Sequence, residues 1–417
     1  MIYLDNNATT RIAPEVLDAM LPFFKEDFYN PSSMYSVAKS AKLAIEQARQ
    51  SICTQLGVTH ASEILFTSCA TESINAAIFG ATKANPHRKH IITTAVEHPA
   101  VLEICKELSR NGYDVSFIGV NQQGNLNVDE FVRALRPGTL LVAVMHTNNE
   151  TGVVFPIEQL SGITKETDSN ILFLCDATQS MTKLSIRLDA EFQNVDMLAF
   201  SGHKFHAPKG IGALFLRRET QWKKFLHGGH QEFGWRGGTE NVAGIVGMAK
   251  AFELAAATHE DDTKRVTRLR DKLEMGILAR VPGIKINGSG NQRIPNTLSL
   301  AVHYAEADQI LFELGNKDIC ASSGSACSSG SGPSHVLTAM DVPLIAIGGA
   351  VRFSLSRYTT EEEIDAVLDE FPKVVNQLRQ ISPLQDYVDA KSTEWTVARA
   401  PLYHAGYTEA RGGAVFR

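Results

Sequence analysis

Between residues 63 and 216 the chain alternates short apolar runs with polar or helical stretches. The runs fall at residues 64–66, 91–94, 115–120, 140–145, 171–175, 197–200 and 211–216, and they favour β-branched and aromatic side chains. Apolar runs that do not alternate with polar residues mark strands covered on both faces, and helices between them are the usual crossovers of parallel sheets. The pattern predicts an α/β fold with a mostly parallel seven-stranded sheet sandwiched by helices.

Ahead of this sheet, Val37, Ala41, Ala44, Ile45, Ala48, Ile52 and Leu56 share one helical face, and Gly57 supplies a stop. After about residue 240 the texture changes to a long helical stretch through residue 280, a Pro/Gly/Asn-rich break at 282–295 and shorter mixed elements, which read as a smaller α+β domain. Its last helix opens with Thr360 and Glu363 at capping-box spacing, and Ile364, Val367, Leu368, Phe371, Val374, Val375 and Leu378 form its buried face. Residues 384–417 read as an appended tail.

At 417 residues the chain is long enough for two or three domains by the prior of roughly 150 residues each. Forty basic against 46 acidic residues leave a net charge of −6, and no dense basic run occurs, so nucleic-acid and membrane-surface partners are not expected. The start lacks a basic leader, and no apolar stretch reaches the roughly 18 residues of a membrane span, so a cytoplasmic protein is expected. The six cysteines form no Cys-x-x-Cys pair, and most read as buried apolar thiols.

Ligands of open α/β sheets sit beyond the C-terminal strand ends, so the polar residues that follow each run carry the functional signal. The first run leads into Thr67-Ser68-Cys69-Ala70-Thr71-Glu72-Ser73, small residues opening a helix whose N-terminus could hold a phosphate or be merely capped. The second leads to Glu97-His98-Pro99 and the fourth to His146-Thr147-Asn148-Asn149-Glu150, where turn chemistry explains the Asn pair as well as a ligand does. Asp176 and Gln179 follow the fifth run, and a carboxylate there is costly to desolvate unless it meets a cation. Ser201, His203 and Lys204 follow the sixth. An Asp and a Lys at successive strand ends, with a helix N-terminus and Ser/His donors nearby, form the set pyridoxal phosphate requires: a Schiff-base amine, a partner for the pyridine nitrogen and a phosphate cradle.

Ten stretches running in order resemble the cysteine desulfurases, closest to the NifS-like type, among the class V aminotransferases of PLP fold type I. They are Tyr3-Leu4-Asp5-Asn6-Asn7-Ala8-Thr9-Thr10, Asn30-Pro31-Ser32-Ser33, Ala70-Thr71-Glu72-Ser73, Glu97-His98-Pro99-Ala100, Asn148-Asn149-Glu150-Thr151-Gly152, Asp176-Ala177-Thr178-Gln179, Ser201-Gly202-His203-Lys204, Gly238-Thr239-Glu240-Asn241, Ser322-Ser323-Gly324-Ser325-Ala326-Cys327 and Val351-Arg352-Phe353-Ser354. The resemblance implies that Lys204 holds the cofactor, Asp176 pairs with its pyridinium nitrogen, Gln179 bonds its phenolic oxygen and His98 stacks on its ring, with Lys204 and His98 expected as catalytic residues, the first taking the α-proton and the second donating or accepting a proton beside the ring. Ala70, Thr71, Ser201 and His203 would hold its phosphate, with Thr239 reaching the phosphate of a second subunit in a homodimer. Asn149 and Arg352 would hold the substrate carboxylate, which a guanidinium fits bidentately. It also implies a large PLP-binding domain at 13–257, a small domain at 1–12 and 258–383 carrying the Cys327 loop, and sulfur delivery from L-cysteine to a NifU-like iron–sulfur scaffold, as in nitrogen fixation.

Cys327 points the same way on physical grounds alone, because it lies in twelve residues, 321–332, made almost wholly of Gly, Ser and Ala. Such a segment buries nothing, so the thiol is expected to be exposed, mobile and available as a nucleophile. His227 and His230 resemble a metal pair but lack a third ligand with convincing spacing, so no metal is expected. A selenocysteine lyase or a small-substrate aminotransferase on the same scaffold is the alternative. Departures from the family pattern are Tyr35, Phe233, Trp235 and the segment Tyr304-Ala305-Glu306-Ala307-Asp308.

Overall fold

The structure, a computed structural model, describes residues 1–323 and 333–381. In chain order its strands are β1 (Ile2–Tyr3), β2 (Ile64–Thr67), β3 (His90–Thr94), β4 (Asp114–Ile118), β5 (Thr139–Met145), β6 (Leu172–Asp176) and β7 (Met197–Ser201). There follow β8 (Gly212–Leu216), β9 (Ile284–Ile286), β10 (Thr297–Val302), β11 (Ile319–Cys320), β12 (Ser322–Ser323) and β13 (Ala350–Ser354). Strands β2 to β8 form one sheet in the order β2-β8-β7-β6-β5-β3-β4. All its neighbouring pairs are parallel except those of β8, which is antiparallel to both β7 and β2. The reversal follows from the short link across residues 202–211, which cannot hold a helical crossover.

Alternate residues of these strands feed opposite faces. Phe66, Val142, Phe173, Leu198 and Phe200 pack on one side with Ile45, Ile52, Met248 and Phe252. On the other, Leu65, Leu141, Leu174 and Met197 meet Ile74, Ile78, Val101 and Ile104. One expectation fails at the edge, where Asp114 and Phe117 of β4 are exposed although that run had the look of a strand covered on both faces. β4 has a single neighbour, and the helices cover the middle of the sheet rather than its rim.

The Lys39–Leu56 helix buries Ala41, Ile45, Ala48, Ile52 and Leu56 as its stripe predicts, and Gly57 ends it at φ 71. Val37 falls outside this helix and is exposed. The helical stretch expected after residue 240 is one uninterrupted helix, Val242–Arg280, and it serves two cores. Its first half contributes Ile245, Met248 and Phe252 to the large-sheet core. Its second half contributes Val266, Leu269, Leu273 and Ile277 to another, built on the antiparallel sheet β12-β13-β10-β9 and the terminal helix Glu361–Ile381. That terminal helix has the expected capping box: the Glu363 amide donates to Thr360 Oγ1 (3.2 Å) and the Thr360 amide to Glu363 Oε2 (3.0 Å). All seven predicted apolar positions on it are buried. No described helix is long and apolar enough to cross a membrane.

The chain start ties the cores together. β1 pairs with β11, the Ser354 amide donates to Leu4 O (2.7 Å), and the Thr10 amide donates to His203 O (2.9 Å) just beyond β7. Residues 5–10 therefore lie across the C-terminal ends of β6 and β7, beside β13.

Candidate active site

Asp176 ends β6 and Ser201 ends the adjacent parallel strand β7, with Asp176 in register with Ala199. Both open, with Lys204, into a cavity of about 270 Å³. Asp176 is buried, and one carboxylate oxygen accepts the Thr178 amide (2.9 Å). A carboxylate held in such a place implies a cationic partner in the cavity. Lys204 Nζ donates to Asn7 O (2.7 Å) and Ala8 O (2.8 Å), so the chain start positions the amine. Gln179 Nε2 donates to the same Asn7 carbonyl (3.0 Å).

The helix Ala70–Ala84 begins at the cavity wall, with Cys69, Ala70 and Thr71 lining it. Its N-cap residue, Cys69, is extended and provides no side-chain cap, so the first-turn amides and the positive dipole end are left for a ligand. The turn lies this close to the sheet because β8 has glycine at 212, where a Cβ would stand 2.7 Å from the Cys69 backbone carbon. Ser201 Oγ and Thr178 Oγ1 are buried without a hydrogen-bond partner among the described residues, an expensive state unless a ligand with acceptor oxygens completes it. His203 Nδ1 lies 3.1 Å from Thr9 Oγ1. Burial, reinforced by Lys204, Lys209 and Lys183, pushes its pKa down to about 4.

His98 caps the Pro99–Arg110 helix, its Nδ1 accepting the Ala100 amide (3.1 Å). Burial lowers its pKa, Asp176 opposes the shift, and Lys204 and His335 add to it, so the imidazole facing the cavity is neutral near pH 7. Opposite, Arg352 of β13 donates to Asn149 O (2.9 Å) and Asp5 Oδ1 (3.0 Å). Its buried Nε has no partner among the described residues. The Asn pair divides its work: Asn148 is a turn residue, its Oδ1 accepting the amides of Glu150 and Thr151 (both 2.9 Å), while Asn149 lines the cavity.

Every expected cofactor or substrate residue within the described segments lines this one cavity, except Thr239, which is exposed and apart from it. Cys327 lies outside the described residues. The expectation about the other thiols holds for Cys53, Cys105 and Cys175, which are buried, whereas Cys69 and Cys320 are partly exposed. Motif reading gave no role to Asn7, whose carbonyl serves both Lys204 and Gln179 and whose side chain bonds Thr297 Oγ1 (2.9 Å), nor to Lys183 behind Gln179. Asn7 sits in a quoted motif, but a role carried by a backbone carbonyl leaves no side-chain signal.

The aminotransferase class-V family matches residues 2–367, and the chain belongs to that family. Family members depend on pyridoxal phosphate, and the unpaired hydroxyls, uncapped helix and strand-end Asp and Lys fit that group. Within the family, the chain is 51% identical over 383 residues to cysteine desulfurase NifS of Azotobacter vinelandii, covering 92% of this chain and 94% of the relative. A solved NifS-like protein matches with a TM-score of 0.85 at 37% identity, covering 90% of this chain and 99% of that one. SspA, solved in complex with cysteine, matches with a TM-score of 0.75 at 35% identity over 86% and 100% of the two chains.

Proposed function

We propose a division of labour among the cavity residues of this chain, which is a pyridoxal-phosphate-dependent cysteine desulfurase. The observation that carries it is the meeting of Asp176 and Lys204, from adjacent strand ends, with an uncapped helix N-terminus in one cavity. When bound, pyridoxal phosphate supplies an electron sink for the substrate α-carbon. Lys204 Nζ would hold the cofactor and, when its amine is free, would take the substrate α-proton. Asp176 would keep the proton on the ring nitrogen, Gln179 Nε2 would donate to the phenolic oxygen, and His98 would stack on the ring. The amides of Ala70 and Thr71, with Thr71, Ser201 and His203 side chains, hold the phosphate.

Arg352 Nε and the Asn149 side chain receive the carboxylate of L-cysteine. The Cys327 thiolate attacks the substrate sulfur: a sulfur–sulfur bond forms, the carbon–sulfur bond breaks with its electron pair left on the carbon skeleton, and that carbon takes a proton to become alanine. The persulfide on Cys327 then passes to an iron–sulfur scaffold of the NifU-like kind. Thr239 completes the phosphate site of a second copy in a homodimer. Residues 13–257 form the cofactor-binding domain, residues 1–12 with 258–383 the smaller one, and the enzyme works in the cytoplasm. The test is Cys327→Ser: it should keep the cofactor's yellow absorbance and lose both alanine and sulfide to below about 1% of parental rate. Near-parental sulfide release would remove Cys327 from the mechanism, and a keto acid product would mark an aminotransferase.

A further inference from the structure

Behind Gln179, on the side away from the cavity, stands Lys183. Its Nζ donates to Gln179 O (2.9 Å) and to Gln179 Oε1 (3.4 Å). The side chain is half-buried, lines a second cavity together with Lys204 and His259, and makes no ion pair among the described residues. Burial first, and Lys204 second, push its pKa down to about 7. The preceding residue, Thr182, sits at φ 65, a left-handed conformation that a β-branched side chain adopts only when its surroundings demand it.

A glutamine amide has an acceptor end and a donor end, and its neighbours decide which faces which way. An ammonium only donates and a backbone carbonyl only accepts. With Lys183 on one side and Asn7 O on the other, Gln179 has a single satisfied orientation: Oε1 toward Lys183 and the Nε2 hydrogens toward Asn7 and the cavity. We propose that Lys183 is a positioning residue of this site, locking the Gln179 amide so that a hydrogen-bond donor faces the phenolic oxygen of the cofactor, and standing as a second cation behind Lys204. The inference rests on the roles given above to Gln179 and Lys204.

The other titratable and charged groups around Lys183 are His203 and His206 beyond β7, His259 and Asp262 on the long helix, and Arg357 beyond β13. Asp262 is taken up by Arg357 at 2.9 Å, so that pair leaves the ammonium uncompensated. Removing the cation leaves the amide held at Asn7 O alone, which loosens its aim at the cofactor, and withdraws a like charge from Lys204. Both changes let the nitrogen joined to the cofactor hold its proton more tightly, so they act in one direction.

The test is a pH titration of the visible absorbance of the full-length, cofactor-loaded protein. Lys183→Met, which keeps the aliphatic stem, should raise the midpoint by about one pH unit, while Lys183→Arg should stay near the parental value. In a Gln179→Leu background the Lys183→Met shift should shrink. If Lys183→Met binds little cofactor, Lys183→Gln is titrated in its place and the same rise is expected. An unmoved midpoint at full cofactor occupancy, or a shift equally large without Gln179, overturns the proposal. Absence of a visible band in the parental protein would instead strike the role given to Lys204.

Discussion

On the small-sheet side of the cavity the cation Arg352 is held by the Asp5 carboxylate and the Asn149 carbonyl. On the large-sheet side the amine of Lys204 meets two backbone carbonyls and has another amine, Lys183, for a charged neighbour. The first arrangement compensates a guanidinium and suits it to the proposed role of anchoring a carboxylate. The second sets an amine, proposed to shed its proton and react, between backbone carbonyls and near a second lysine, in the cavity that Asp176 also lines. The two cores thus supply one site with a permanent charge and a negotiable one.

Taking away the negotiable amine has the largest expected effect. Lys204→Ala should abolish the visible absorbance and lower alanine formation at least about 1000-fold, as removal of a covalent anchor and base does. Weakening the permanent charge is milder and falls on binding. Arg352→Lys loses the planar fork, so KM for L-cysteine should rise by roughly 10- to 100-fold with kcat less affected, and Asp5→Asn, which only loosens the guanidinium, should raise it less than about tenfold.

A further titratable group lies beneath His98. Glu97 is fully buried, accepts from Thr94 Oγ1 (2.8 Å) and the Met145 amide (2.9 Å), and leaves Oε2 without a partner among the described residues. Burial raises its pKa to about 8, with Asp176 adding to the rise and its hydrogen bonds opposing it. The folded protein therefore keeps the Glu97 proton where the unfolded chain releases it. Stability linked to that proton is complete below about pH 4.5 and is lost as pH rises toward 8, by up to about 1.4 kcal/mol per unit. Glu97→Gln should flatten the fall of Tm between pH 5 and 8. An equally steep fall in the variant would show that Glu97 is ionised in the fold. The smallest effect belongs to the terminal helix, where Thr360→Ala should cost about 1 kcal/mol in denaturant unfolding and leave the absorbance unchanged.

The fold was legible where local chemistry and tertiary packing ask for the same residues. The seven apolar runs became the large sheet, and Thr360 with Glu363 formed its capping box, because a buried strand and a helix start each impose their own residue types. The reversal of β8 followed from the length of a connection rather than from its strand composition. The cavity's functional side chains were readable because Asp176, Ser201 and Lys204 follow apolar runs. Asn7 was not, since its carbonyl acts and any residue has one. Lys183 was hidden because a lysine in a polar turn resembles a solvated surface charge, and only the packed structure shows its ammonium turned onto Gln179.

The proposed chemistry depends on the amine at position 204 holding the cofactor. Borohydride reduction of the loaded protein, followed by proteolysis and mass spectrometry, tests it directly. The reduced cofactor is expected on the peptide containing Lys204 and on no other. Its recovery on Lys183 or another lysine, with Lys204 unmodified, would contradict it.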